Sequence, residues 1–132
     1  MMTIFMLYFR KTISLISQYG VLCSVIILIV ITVLSLTPVA EEPSRNGFDK
    51  ILHLLAYMAL SFPSALSYHP KTNPVFFFAV LWGGCIECIQ PYFGREADIL
   101  DATFNTFGAY AGIVLAKFFS SLLYTIPSPS DE

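Results

Sequence analysis

The chain predicts an all-α fold, an integral membrane bundle of four transmembrane helices, and three observations carry that prediction. Of its 132 residues, 56% are hydrophobic and only 12% charged, about half the charged share of an average soluble domain. A soluble domain this small needs polar side chains to cover its core, whereas a helix surrounded by lipid does not. Finally, the sequence divides into four long apolar runs with short polar stretches between them. The runs are too continuous for the alternating pattern of a membrane β-barrel.

Residues 1–18 form an N-terminal segment in which Arg10 and Lys11 follow Phe5, Leu7, Tyr8 and Phe9. This segment lies at the interface or begins the first helix. Tyr19 to Leu36 is almost wholly apolar and is followed by Pro38 and Pro43, which approaches the roughly 20 residues needed to cross a bilayer. A signal peptide would also place basic residues ahead of an apolar run. This run exceeds the usual core of about 7–15 residues, and no A-x-A-like cleavage site follows, so a retained helix is expected. Residues 39–50 form the first polar loop, with Glu41, Glu42, Arg45, Asp49 and Lys50; Glu41 and Glu42, like Lys71 farther on, read as solvated charges.

The second run extends from Ile51 to about Tyr68 and contains Pro63, an interruption that membrane helices tolerate. His69 to Asn73 reads as a tight turn, and Pro74 suits the first turn of a third helix reaching about Gln90. Pro91 to Asp98 is a polar loop, and the fourth run covers Ile99 to Tyr124. The four-helix domain therefore spans 19–126, and residues 127–132 form a polar tail.

With the N-terminus inside, Arg10, Lys11, Lys71 and Lys117 lie toward the cytoplasm, against Arg45, Lys50 and Arg95 on the other side. That margin favours a cytoplasmic N-terminus. His69 and Lys117 are expected at the interface, Lys117 snorkelling. A net charge of −2 leaves no basic footprint for nucleic acid. Cys23, Cys85 and Cys88 all fall within apolar runs. An odd count is a poor disulfide framework, and one C-x-x-C pair does not complete a zinc site, so they read as small packing residues.

Alternating spans bring the first and third loops to the same side of the membrane, the outer one if the N-terminus is inside. Asp49, Lys50 and His53 open the second helix, Glu87 and Gln90 close the third, and Asp98, Asp101 and Asn105 open the fourth. Asp49, His53 and Tyr57 step by four and share a helix face. Asp98, Asp101 and Asn105 continue into Gly108-x-x-x-Gly112, a spacing that lets two membrane helices approach closely. Glu87 carries the most information, because an ionised carboxylate in an apolar run costs a few kcal/mol and marks a functional site by default. It is expected to face a polar interior, stay protonated, or pair with Lys50, His53 or Arg95. The bland alternative is a salt bridge that glues helices together.

In order and spacing these residues resemble the VanZ-like family of small membrane proteins. The resemblance rests on Ser35-Leu36-Thr37-Pro38, then Asp49-Lys50-x-x-His53-x-x-x-Tyr57, then Gly84-x-x-Glu87-x-x-Gln90. It continues through Arg95 and Asp98-x-x-Asp101-x-x-x-Asn105-x-x-Gly108-x-x-x-Gly112, and covers roughly residues 21–116. It implies a four-helix protein of the bacterial cytoplasmic membrane. The family's name comes from a protein linked to resistance to the glycopeptide teicoplanin, and its members need not share that phenotype.

Three functions compete. The leading one is a ligand site at the outer headgroup level for a membrane lipid, a lipid-linked envelope precursor or a glycopeptide-like amphiphile. There Lys50 and Arg95 hold an anionic group, Glu87, Asp101 and Asn105 orient it through hydrogen bonds, and Asp49, Gln90 and Asp98 complete the site. The second is an enzyme in which Glu87 or Asp101 is the general base and His53 the acid, with a divalent metal on His53, Glu87 and Asp101 as a variant. No signature of defined chemistry accompanies it. The third is a structural or partner-binding protein whose polar residues hold the bundle together. A proton-coupled transporter is weaker, because four helices are few for a pathway unless the protein forms an oligomer.

Overall fold

The computed structural model of this chain describes residues 2–38 and 47–125. Glu41, Glu42 and Arg45, together with the tail 127–132, lie outside the described residues. Four helices follow one another: α1 (Met2–Leu36), α2 (Phe48–Ser67), α3 (Asn73–Ile89) and α4 (Ile99–Thr125). A 3-10 turn at Gln90–Phe93 continues α3.

At 1.5 Å per residue, α1 is about 52 Å long, well beyond the roughly 30 Å hydrocarbon core of a bilayer. Residues 3–17 continue the helix, and Ile13 is buried against Ala65, Leu66, Ile113 and Ala116. Thr37 closes α1, its backbone N–H and its hydroxyl both donating to Val33 O. Pro38 then disfavours further helix. Gly47, with φ 68°, leads into α2. Gly94, with φ 73°, reverses the chain after the 3-10 turn, and the next amide, Arg95 N–H, reaches back to Gln90 O at 3.2 Å. A left-handed turn of this kind suits glycine.

Three helical segments are long and apolar enough to cross a membrane, Ile4–Leu36, Asn73–Phe93 and Ile99–Leu123. The 20-residue α2 is not among them, although at about 30 Å it has the needed length. Asp49, Lys50, His53 and several serines lower its hydropathy. Its position explains how it tolerates them, because α2 is the central helix, packed mainly on α4 and α1 and less on α3.

Contacts along the helices give an up-down-up-down register. Ser17 meets Leu66 while Ser24 meets Leu60, so α1 and α2 are antiparallel. Lys50 meets Asp101 while Gly112 packs on Met58, so α2 and α4 run parallel. A Cβ on Gly108 would overlap Leu54 O, and one on Gly112 would crowd Met58 O. The two glycines therefore allow the close backbone approach expected of their spacing. Pro63, which has no N–H to donate, falls inside α2. Beside it, Ser24 Oγ donates to Leu60 O at 2.7 Å and accepts the Ser64 N–H at 3.1 Å, so a side chain of α1 is stitched into the backbone of α2.

The cysteines depart from expectation. Cys85 and Cys88 are exposed and Cys23 is half-buried, because α3 turns Ala79, Gly83, Ile86 and Glu87 inward and leaves the C-x-x-C pair facing outward. They do not pack the core.

Candidate functional site

The end of α3 and the starts of α2 and α4 meet at one end of the bundle, and the polar residues of all three gather there. Lys50 Nζ donates to Asp98 Oδ2 at 2.8 Å and to Asp101 Oδ1 at 3.2 Å. Asp98 also caps α4, its Oδ1 accepting the Leu100 N–H at 2.8 Å, the usual task of an N-terminal aspartate. Asp101, only 2% exposed, plays no part in that capping bond. Its second oxygen lies 3.6 Å from His53 Nε2.

His53 is oriented from its other side. Its Nδ1 lies 3.0 Å from Asn105 Oδ1, and because an amide oxygen only accepts, the proton of that bond belongs to Nδ1. Nε2 is then directed at Asp101 Oδ2 and, at 3.9 Å, at Asp49 Oδ1.

Glu87 is 6% exposed. Its Oε2 accepts the Asp98 backbone N–H at 3.1 Å, which ties the end of α3 to the loop before α4. The pairing with Lys50 anticipated from the sequence does not form, because Lys50 is engaged by the two aspartates of α4. Lys50 gives two of its three N–H donors to these aspartates. Gln90 turns to α1, its Nε2 donating to Ser35 O at 3.2 Å. Arg95 is half-buried in the loop above.

Among the described residues, several buried polar atoms have no hydrogen-bond partner: Asp49 Oδ2, Tyr57 OH, Ser61 Oγ, Glu87 Oε1 and Gln90 Oε1. Buried polar atoms in folded proteins are nearly always satisfied, so these atoms stand out, and those of Asp49, Glu87 and Gln90 lie at this end of the bundle. Tyr57 and Ser61, each 1% exposed, belong to the same stripe of α2 but do not stand out as site residues in the sequence. Their signal is the step of four that runs from Asp49 through His53 and Tyr57 to Ser61. Farther along α2, an apolar groove of about 420 Å³ between α1, α2 and α3 is lined by Ser61 with Ser24, Leu28, Leu60, Phe78 and Ala79.

The VanZ/LLP1 family model matches residues 1–120. The chain belongs to the VanZ/LLP1 family. That match begins at residue 1, so this VanZ/LLP1 protein resembles its family through the first half of α1 as well as through the motif residues. Comparisons with curated proteins and with solved structures return no match.

Proposed function

We propose that this VanZ/LLP1 protein binds the headgroup of an amphiphile (a membrane lipid, a lipid-linked envelope precursor or a glycopeptide-like molecule) at the polar end of its bundle. The observation that carries this reading is the set of buried, unpartnered polar atoms on Glu87, Gln90 and Tyr57 beside the Lys50–Asp98–Asp101 network, the first two of them acceptors. A network that served only to hold helices together would be expected to satisfy its own members. With the N-terminus in the cytoplasm, this end lies at the outer face.

The chemistry of the lining narrows the headgroup. Asp49, Glu87, Asp98 and Asp101 supply four carboxylates, and Lys50 is already committed to two of them. The acceptors therefore suit hydroxyl, amide or ammonium donors better than a bare anion. The groove beside Ser61 has the apolar lining that an acyl chain would take.

Native mass spectrometry of the detergent-purified protein, beside Glu87→Gln and Asp101→Asn, tests the proposal. The wild type should retain an amphiphile that both variants lose while still melting as folded proteins. Loss of helical stability in both variants, with nothing retained by the wild type, would instead favour the structural reading.

A further inference from the structure

The cation that contacts the cluster around His53, Lys50, reaches Asp101 through Oδ1 alone. With Nδ1–H given to Asn105, the Nε2 lone pair faces Asp101 Oδ2 at 3.6 Å and Asp49 Oδ1 at 3.9 Å. Three acceptors directed at one another repel unless a cation sits among them. Both distances exceed the roughly 2.7–3.2 Å of an N–H···O bond. They lie close to the edge of a metal coordination sphere. Ligand bonds of about 2.0–2.2 Å place neighbouring donor atoms roughly 3.0–3.6 Å apart.

We infer that Asp49, His53 and Asp101 hold one divalent cation of the zinc or manganese class, with Glu87 as the neighbouring fourth carboxylate. One donor atom from each of the first three lies within 4.8 Å of the others. Two independent features support a bound ion. Glu87, 6% exposed, keeps Oε1 unpartnered while its Oε2 accepts the Asp98 backbone N–H of the loop that leads to Asp101. Asp49 Oδ2 is likewise buried without a hydrogen bond. In addition, the Asn105 side-chain carbonyl holds Nδ1, where metal-binding histidines commonly give their second N–H to a carboxylate, backbone carbonyl or water.

Charge agrees with this assignment. Lys50 binds Asp98 and Asp101, while the carboxylate of Asp49, whose Oδ1 lies 3.9 Å from His53 Nε2, accepts no hydrogen bond through Oδ2. Lys50 occupies only Oδ1 of Asp101 and leaves Oδ2 for the ion. One imidazole among carboxylates is a borderline donor set that suits Zn2+ or Mn2+ better than a purely hard ion. The inference deepens the headgroup reading and rests on it, because a cation at this point gives a hydroxyl or amide oxygen of such a headgroup an ion to bind beside the carboxylates that take its donors.

The test uses the full-length protein in detergent, stripped with a chelator and then titrated by calorimetry with Zn2+ alone and, separately, with Mn2+. The expected result is about one ion per chain, abolished in His53→Ala and weakened at least about tenfold in Asp49→Asn. Asp49 lies in the first turn of α2 with a partly exposed side chain, so its variant should keep the helical circular dichroism of the wild type. Binding of neither ion would overturn the inference. Unchanged affinity in a folded Asp49→Asn would overturn it equally, by placing the ion elsewhere. Repeating the lipid measurement on stripped protein separates the two proposals. Lipid retained by a chain that binds no ion removes this inference alone, whereas an ion bound with no lipid removes the headgroup reading alone.

Discussion

Lys50 sits between Asp98 and Asp101, and the two contacts do different jobs. The one to Asp98 joins α2 to a residue that is already capping α4; the one to Asp101 offsets a carboxylate almost wholly removed from solvent. Taking away the lysine alone leaves that carboxylate uncompensated, which is costlier than removing both partners. Lys50→Met should therefore lower the detergent melting temperature, and adding Asp101→Asn should raise it part of the way back. A double-mutant cycle measures the coupling; strictly additive losses would mean that the pair contributes little. The residue scale is also where the sequence is least legible. That Lys50, His53, Glu87 and Asp101 share one end follows from alternating helices. Which carboxylate takes the lysine depends on side-chain placements finer than any spacing rule, and Glu87 turns instead to a backbone amide in the loop.

At the scale of elements, the bundle depends on a few places where backbones come close. Gly108 and Gly112 let α4 lie against Leu54 and Met58, and Gly20 lets α1 lie against Pro63. Gly108→Ala should destabilise the folded bundle by about 1–3 kcal/mol, since its Cβ has nowhere to go without moving the helix. Gly84→Ala is the control. A Cβ there meets nothing within 4 Å, so the change should be neutral or gain up to about 1 kcal/mol from helix propensity. Equal losses from the two substitutions, measured by reversible unfolding in mixed micelles, would contradict this account of the α2–α4 contact. The G-x-x-x-G spacing is legible in sequence because it needs only one helix to be seen. The clasp of Ser24 on Leu60 O and Ser64 N–H is not. It joins a serine in an unremarkable apolar run to a turn of α2 some forty residues away, and nothing local distinguishes Ser24 from its neighbours.

At the scale of the whole molecule, composition and run length are enough to indicate a helical membrane protein, and the fold bears this out with three helices able to cross on their own hydropathy. The fourth, α2, reads as a span in sequence because its run is long and sits between two others. Its polar content becomes intelligible only once it is seen enclosed by α1, α3 and α4. Tyr57, Leu60, Ser61, Pro63, Ala65 and Leu66 are all buried there, whereas the long α1 keeps most of its span on the outside.

The enclosure of α2 bears on how the chain enters the bilayer during synthesis. A segment too polar to partition into lipid alone has to wait at the insertion machinery until its neighbours are made, and its main neighbour, α4, is the last helix to emerge. Chains ended after residue 98 should therefore leave α2 accessible to water-soluble thiol reagents at a cysteine placed at Ala65, a position with 0% exposure in the complete fold. Chains carried through residue 125 should protect it. Equal protection in both would mean that α1 and α3 suffice. If the late arrival of α4 is what seats α2, the same event brings Asp101 and Asn105 to Lys50 and His53, so the polar end of the protein comes into being only as translation finishes.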